Sequence, residues 1–183
     1  MDEAQWKTDL EPVVAEIMTS GGPVGYVAHA AAYAKLYNHL TSRDGEMSGS
    51  VEERQDDLYA HAQNFFDEHT KGICLAAPTD NAKLVAYYNA EWNRFSNGAD
   101  AVNRLFTYFN RHYARRTRKD ANVAIIRNLA FKFWKNNVFD PLSVRLESVD
   151  NQAQIESIRN LLASEDLLVD QWKKMRLDSP ASS

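Results

Sequence analysis

A single cysteine, Cys74, stands in 183 residues. An internal disulfide is therefore excluded, and a structural zinc site would have to be built without a cysteine cluster. Cys74 itself reads as a small packing residue rather than a nucleophile. Glycine (7) and proline (5) are sparse, which argues against a β-sandwich with its many tight turns. No apolar run approaches the roughly 18 residues that a membrane span needs. The opening MDEAQWKTDL carries neither the basic nor the apolar region of a signal peptide. GxGxxG, GxxxxGK[ST] and GxSxG are all missing, so the sequence offers no phosphate cradle and no nucleophile elbow. The five histidines (His29, His39, His61, His69, His112) include no HExxH pair. The carboxylate pairs Glu52/Glu53 and Asp56/Asp57 sit at a helix start, where the helix dipole suits them better than acid–base chemistry does. The expectation is a non-enzymatic protein without metal or cofactor, working in the cytoplasm or nucleus.

What the sequence does contain is helical periodicity, in an ordinary globular composition that is 44% hydrophobic and 25% charged. Trp6, Leu10, Val13, Val14 and Ile17 trace one apolar face over about residues 4–19. Gly21 and Gly22 cap that helix and Pro23 blocks its continuation. An alanine-rich helix follows over 24–42, with Tyr26, Ala30, Tyr33, Tyr37 and Leu40 on one stripe flanked by His29 and Leu36. The stretch RDGEMSGS (43–50) reads as a polar loop. Ser50 and Glu53 form a capping box ahead of a helix with Val51, Leu58, Ala62, Phe65 and Phe66. Thr79 or Asp80 caps the next helix, which carries Leu84, Tyr87, Tyr88, Trp92 and Phe95 until Ser96-Asn97-Gly98 interrupts or kinks it. Val102, Leu105, Phe106, Tyr108, Phe109 and Tyr113 mark a further helix. Asp120 can cap another, with Val123, Ile126, Leu129, Ala130, Phe133 and Trp134, which Pro141 ends. Helices are expected at about 151–163 and 166–176, ahead of a frayed DSPASS tail. No strand-like alternation is sustained, so the fold class is all-α.

Charge is divided unevenly. Residues 1–100 hold 7 Lys+Arg against 16 Asp+Glu, and residues 101–183 hold 14 against 9. The basic residues gather around FNRHYARR (109–116) in the cluster Arg111, Arg115, Arg116, Arg118 and Lys119. Three readings stay open for it: a solvated helix end complementing the dipole, a protein-partner surface, or a phosphate grip.

The aromatic pattern resembles the N-terminal region of cullins. Cullins share W-x-x-[FY], then a helix ending in N-R-[HY]-[WY]-x-x-[RK], then a helix ending in W-x-x-x-x-F-x-P. Here these are Trp92 to Phe95, Asn110-Arg111-His112-Tyr113-Ala114-Arg115-Arg116, and Trp134, Phe139 and Pro141. YAKLYNHLTS (33–42) and QWKTDLEPVVAEI (5–17) are similar to the second and first helices of cullins that serve F-box proteins. The resemblance covers about residues 4–142. It implies a cullin repeat of about five core helices with an N-terminal helix, and leaves 143–183 as a divergent helical extension, either the start of a second repeat or a cap on the first. It also implies docking of a BTB-fold SCF adaptor, alone or with its F-box protein, on helices 24–42 and 120–138. The matching contact positions are His29, Tyr33, Tyr37, Val123, Ala124 and Arg127. Two departures bear on affinity: His29 replaces an expected aromatic, and Ala124 or Arg127 stands where a tyrosine is expected. The periodicity leaves Tyr33 and Tyr37 open to a second reading, as core residues. The family's C-terminal half, which recruits the RING subunit, has no counterpart here, so no RING subunit is expected as a partner. Two readings stay open: a naturally short protein acting as a truncated competitor for adaptors, or a piece of a longer ligase scaffold. The alternatives are a nucleic-acid-binding helical domain using 111–119, which the core fit of Tyr108 and Tyr113 disfavours, and a structural helical domain of an oligomer.

Overall fold

In the computed structural model, residues 1–42, 50–116, 125–147 and 160 are described, with nothing said of the side chains of residues 82, 114–116 and 147. Eight α-helices occupy the described residues: α1 Glu3–Asp9, α2 Glu11–Ser20, α3 Tyr26–Thr41, α4 Val51–Leu75, α5 Asn81–Leu105, α6 Thr107–Arg116, α7 Ile126–Trp134 and α8 Asp140–Glu147. The all-α expectation holds. The expected features at 43–49, the helices at 151–163 and 166–176 and the DSPASS tail lie outside the described residues, Asn160 aside. Asp120 does not cap the helix expected over 120–138, because that helix starts at Ile126 with Ile125 at its N-cap.

Local signals in the sequence set several boundaries. Ser50 and Glu53 make both bonds of the capping box: the Glu53 amide donates to the Ser50 hydroxyl (3.2 Å) and the Ser50 amide to the Glu53 carboxylate (2.8 Å). Gly21 closes α2 in the left-handed region (φ 69°), where a side chain would be strained. A Cβ there would also lie 2.8 Å from Arg94 Cγ and 3.0 Å from Arg94 Cα, so α2 ends hard against α5.

Four further expectations need correction. The helix expected over 4–19 is two helices. It breaks at Leu10 (φ −120°, ψ −43°), just before Pro12, which fits the first turn of α2 because its missing amide hydrogen would be unbonded there anyway. Ser96-Asn97-Gly98 neither breaks nor kinks a helix, since α5 runs unbroken through it. Gly98 is instead the place where α2 crosses α5: a Cβ on it would meet Met18 Sδ at 3.0 Å, Met18 Cα at 3.1 Å and the Ile17 carbonyl at 3.2 Å. Pro141 does not end its helix. The turn Lys135–Phe139 widens to a π-helix, with the Asp140 amide donating to the Lys135 carbonyl, and α8 starts with Pro141 in its first turn. Lastly, the Tyr26/Ala30/Tyr33/Tyr37 stripe is not the buried side of α3. The core takes Ala32, Leu36, His39 and Leu40.

The core centres on Trp134. Its ring packs against Tyr88 (5.6 Å between centroids), Trp92 (5.3 Å) and Phe95 (4.8 Å), which joins α7 to α5. The indole N–H donates to the Tyr88 hydroxyl at 3.1 Å. Burial pushes the Tyr88 phenol well above its ordinary pKa. On the α4 side, the Asn137 amide donates to Asp67 Oδ1 and to the Thr70 hydroxyl, each at 2.9 Å.

Candidate docking face

The candidate face is assembled from α3 and α6. On α3, positions 29, 33 and 37 share one side and 32, 36 and 40 share another, offset by one residue or about 100° around the helix. The second set is buried. Of the first set, His29 and Tyr33 are half-buried and Tyr37 is 41% exposed, and beyond them Tyr26 (87%) and Val27 (80%) stand almost fully in solvent. Tyr37 is therefore a surface residue, while Tyr33 is half-buried with one side packed against the core.

Why α3 turns this way is settled at its C-terminal end by a side chain whose part the sequence did not reveal. Arg54 of α4 is 1% exposed. Its guanidinium donates to the His39 carbonyl (3.0 Å) and the Ser42 carbonyl (2.7 Å), two acceptors at the end of α3. Orphan carbonyls and a cation complement each other there. His39 is buried beside this contact, and neither of its ring nitrogens has a hydrogen-bond partner. Burial, helped by the neighbouring positive charges of the N-terminal ammonium and Arg54, lowers its pKa to about 4, so the ring is neutral near pH 7.

Tyr37 extends the face onto α6. Its ring meets Tyr108 edge-on at 4.9 Å, Tyr108 stacks on His112 at 4.2 Å, and Tyr33 lies 6.3 Å from Tyr37 on the other side. Four rings thus run in line across two helices, which restricts their rotamers before any partner arrives. Tyr108 and His112 were not among the expected contact residues, because their pairing with Tyr37 depends on how α6 packs. On the inward side of α6, Phe109 and Tyr113 are buried and stacked at 4.7 Å, and the Tyr113 hydroxyl donates to Asp56 at 3.0 Å.

Of the positions expected on the second docking helix, Val123 and Ala124 precede α7 and lie outside the described residues. Arg127 is described and half-buried: its Nε bonds Asp100 at 2.6 Å and its guanidinium lies 4.5 Å over the Phe131 ring. In the basic cluster, Arg111 is exposed, the side chains of Arg115 and Arg116 are not described, and Arg118 and Lys119 lie outside the described residues. Among the described residues, no group of three or more His, Cys, Asp or Glu could hold a metal ion. No helix there is long and apolar enough to cross a membrane.

Residues 7–176 match the cullin alpha solenoid domain. The chain belongs to the cullin family. It is similar to Cullin-1 of Caenorhabditis elegans, 26% identical over 149 residues that cover 70% of this chain and 18% of that protein. Cullin-1 of Dictyostelium discoideum is 26% identical over 129 residues (63% of this chain, 17% of that protein). Cell division control protein 53 of Saccharomyces cerevisiae is 25% identical over 117 residues (60% and 14%). The cullin domain thus spans less than a fifth of the length of these relatives.

Proposed function

We propose that this cullin domain is a non-catalytic interaction module that docks a BTB-fold SCF adaptor, alone or with its F-box protein, in the cytoplasm or nucleus. The observation that carries the reading is the tyrosine face of α3. Tyr33 and Tyr37 lie off the buried side of their helix, aligned with Tyr108 and His112. Tyrosine offers a large ring and a hydroxyl with little conformational entropy to lose, the profile of an interface anchor. Residues 1–183 taken by themselves, carrying this face, would compete with longer cullin scaffolds for the same adaptor.

The test is direct binding of a purified BTB-fold adaptor to wild type and to Tyr33→Ala/Tyr37→Ala. Loss of two anchors should cost about 2 kcal/mol or more, which is ~30-fold or more in Kd. The double variant should keep its circular dichroism spectrum, because the α3 core stripe is untouched. Wild type that fails to bind, or a double variant that binds as tightly as wild type, refutes the assignment. Binding should also persist between about 50 and 200 mM salt, where a phosphate-gripping surface would lose orders of magnitude.

A further inference from the structure

Helix α7 begins without a cap of its own. Its N-cap residue is Ile125, which has no polar side-chain atom and makes no side-chain capping bond. The first amides of a helix have no partner within it. Here two of them are satisfied from other helices: the Ile126 amide donates to Asn110 Oδ1 of α6 at 3.1 Å, and the Arg127 amide donates to Asn103 Oδ1 of α5 at 3.3 Å. The two asparagines are also joined. Asn110 Nδ2 donates to Asn103 Oδ1 at 2.8 Å and to the Asn103 carbonyl at 3.3 Å, which turns the Asn110 oxygen toward Ile126. Asp100, one turn before Asn103 on α5, then holds the Arg127 side chain.

We propose that Asn110 and Asn103 are positioning residues for docking: they fix where α7 starts and hold its leading turn, with Arg127, against α5 and α6, α7 being the second helix that the docking reading uses. The proposal rests on the adaptor-docking reading. A leading turn that frays must be re-formed on binding, and apparent affinity falls by the fraction of molecules in which it is formed. Losing one cap, about 1 kcal/mol, lowers the formed-to-frayed equilibrium constant of the turn ~5-fold, so apparent affinity falls by up to ~5-fold.

The experiment is amide hydrogen exchange by NMR on wild type and Asn110→Ala, with and without a purified BTB-fold adaptor, alongside titration of affinity. Expected in Asn110→Ala are faster exchange at Ile126 and Arg127, unchanged protection in α2 and the middle of α5, adaptor affinity weaker by up to ~5-fold, and recovery of protection at those two amides when adaptor binds. Recovery is the readout that a merely structural cap would not give, because coupling between two events is reciprocal. Unchanged exchange at Ile126 and Arg127 overturns the proposal. So does faster exchange with adaptor affinity equal to wild type, and in that case loss of binding in Tyr33→Ala/Tyr37→Ala leaves the docking reading standing. Wild type that does not bind adaptor overturns both. Should Asn110→Ala fail to fold, Asn103→Ala carries the same test at Arg127.

Discussion

Alanine should have opposite effects at two helical glycines. Gly72 lies near the end of α4, and a Cβ there meets nothing within 4 Å. Gly72→Ala should gain most of the helix-propensity difference, about 0.5–1 kcal/mol. Gly98 lies inside α5, where the same propensity gain of ~1 kcal/mol is available. There, however, the new methyl would meet three atoms of α2 between 3.0 and 3.2 Å, two of which, Met18 Cα and the Ile17 carbonyl oxygen, are backbone. Met18 Sδ can swing away, but the backbone moves only if the whole α2–α5 crossing opens. Overpacking of this kind costs roughly 1–3 kcal/mol, and the backbone contacts place Gly98 in the upper half of that range. The net expectation is a loss of about 1–2 kcal/mol, or a drop in Tm of roughly 2–8 °C for a domain of this size. Urea unfolding followed by far-ultraviolet circular dichroism, with thermal melts of all three proteins, makes the comparison. A Gly98→Ala protein as stable as Gly72→Ala would refute the close crossing, and with it the reason α5 tolerates a glycine in its interior.

Two further changes probe the core. Tyr88→Phe removes the acceptor of the buried Trp134 indole N–H and should cost about 1–3 kcal/mol by leaving a donor unsatisfied, read as a lower urea midpoint with an unchanged m-value. The second concerns acid. His39 has a folded pKa of about 4, and burial also lowers that of His69. A base with a depressed folded pKa takes up its proton more readily when unfolded, so stability is complete above pH ~6.5 and falls as pH drops from there toward 4. For His39 the loss is at most about 3 kcal/mol. The charges facing the ring are Arg54 and the N-terminal ammonium, which disfavour its protonation, and Asp57, which favours it. His39→Leu gives up no hydrogen bond, and it should flatten the decline in this window. A variant that keeps the full acid slope would place the effect elsewhere.

How much of this was legible in the sequence follows from how local each signal is. The Ser50/Glu53 box and the Gly21 cap involve residues within a few positions of one another, and composition fixes them. The aromatic spacing from Trp92 to Trp134 carried the family and the all-α class, because those rings are the core. Signals that depend on a distant helix were not legible. Gly98 looks like a breaker until α2 is laid across it. Pro141 looks like a stop until the preceding turn widens by one residue. Asn103 and Asn110 look like ordinary polar residues, yet they cap a helix that starts 16 positions after Asn110. Arg54 sits in an acidic, exposed-looking helix start and is one of the most buried side chains in the protein.

The same limit explains why periodicity could not choose between the two faces of α3, a choice that only the cullin resemblance made. Residues 26–41 carry two apolar stripes at helical spacing, one of tyrosines and one of Ala32, Leu36 and Leu40, and periodicity alone cannot rank them. Physical chemistry can. Burying Tyr33 and Tyr37 would require a hydrogen-bond partner for each hydroxyl, whereas the alanine–leucine stripe has no polar atom to satisfy. The anchor that decides it is again remote: Arg54 holds the His39 and Ser42 carbonyls from α4, and turning α3 by one residue would break both bonds. The tyrosines face outward because the opposite stripe is cheaper to bury and is pinned at its end. The outward tyrosines are pinned on α3 by Arg54 and meet on α6 the Tyr108–His112 stack. Rings ordered in advance lower the entropic cost of any docking tested by Tyr33→Ala/Tyr37→Ala.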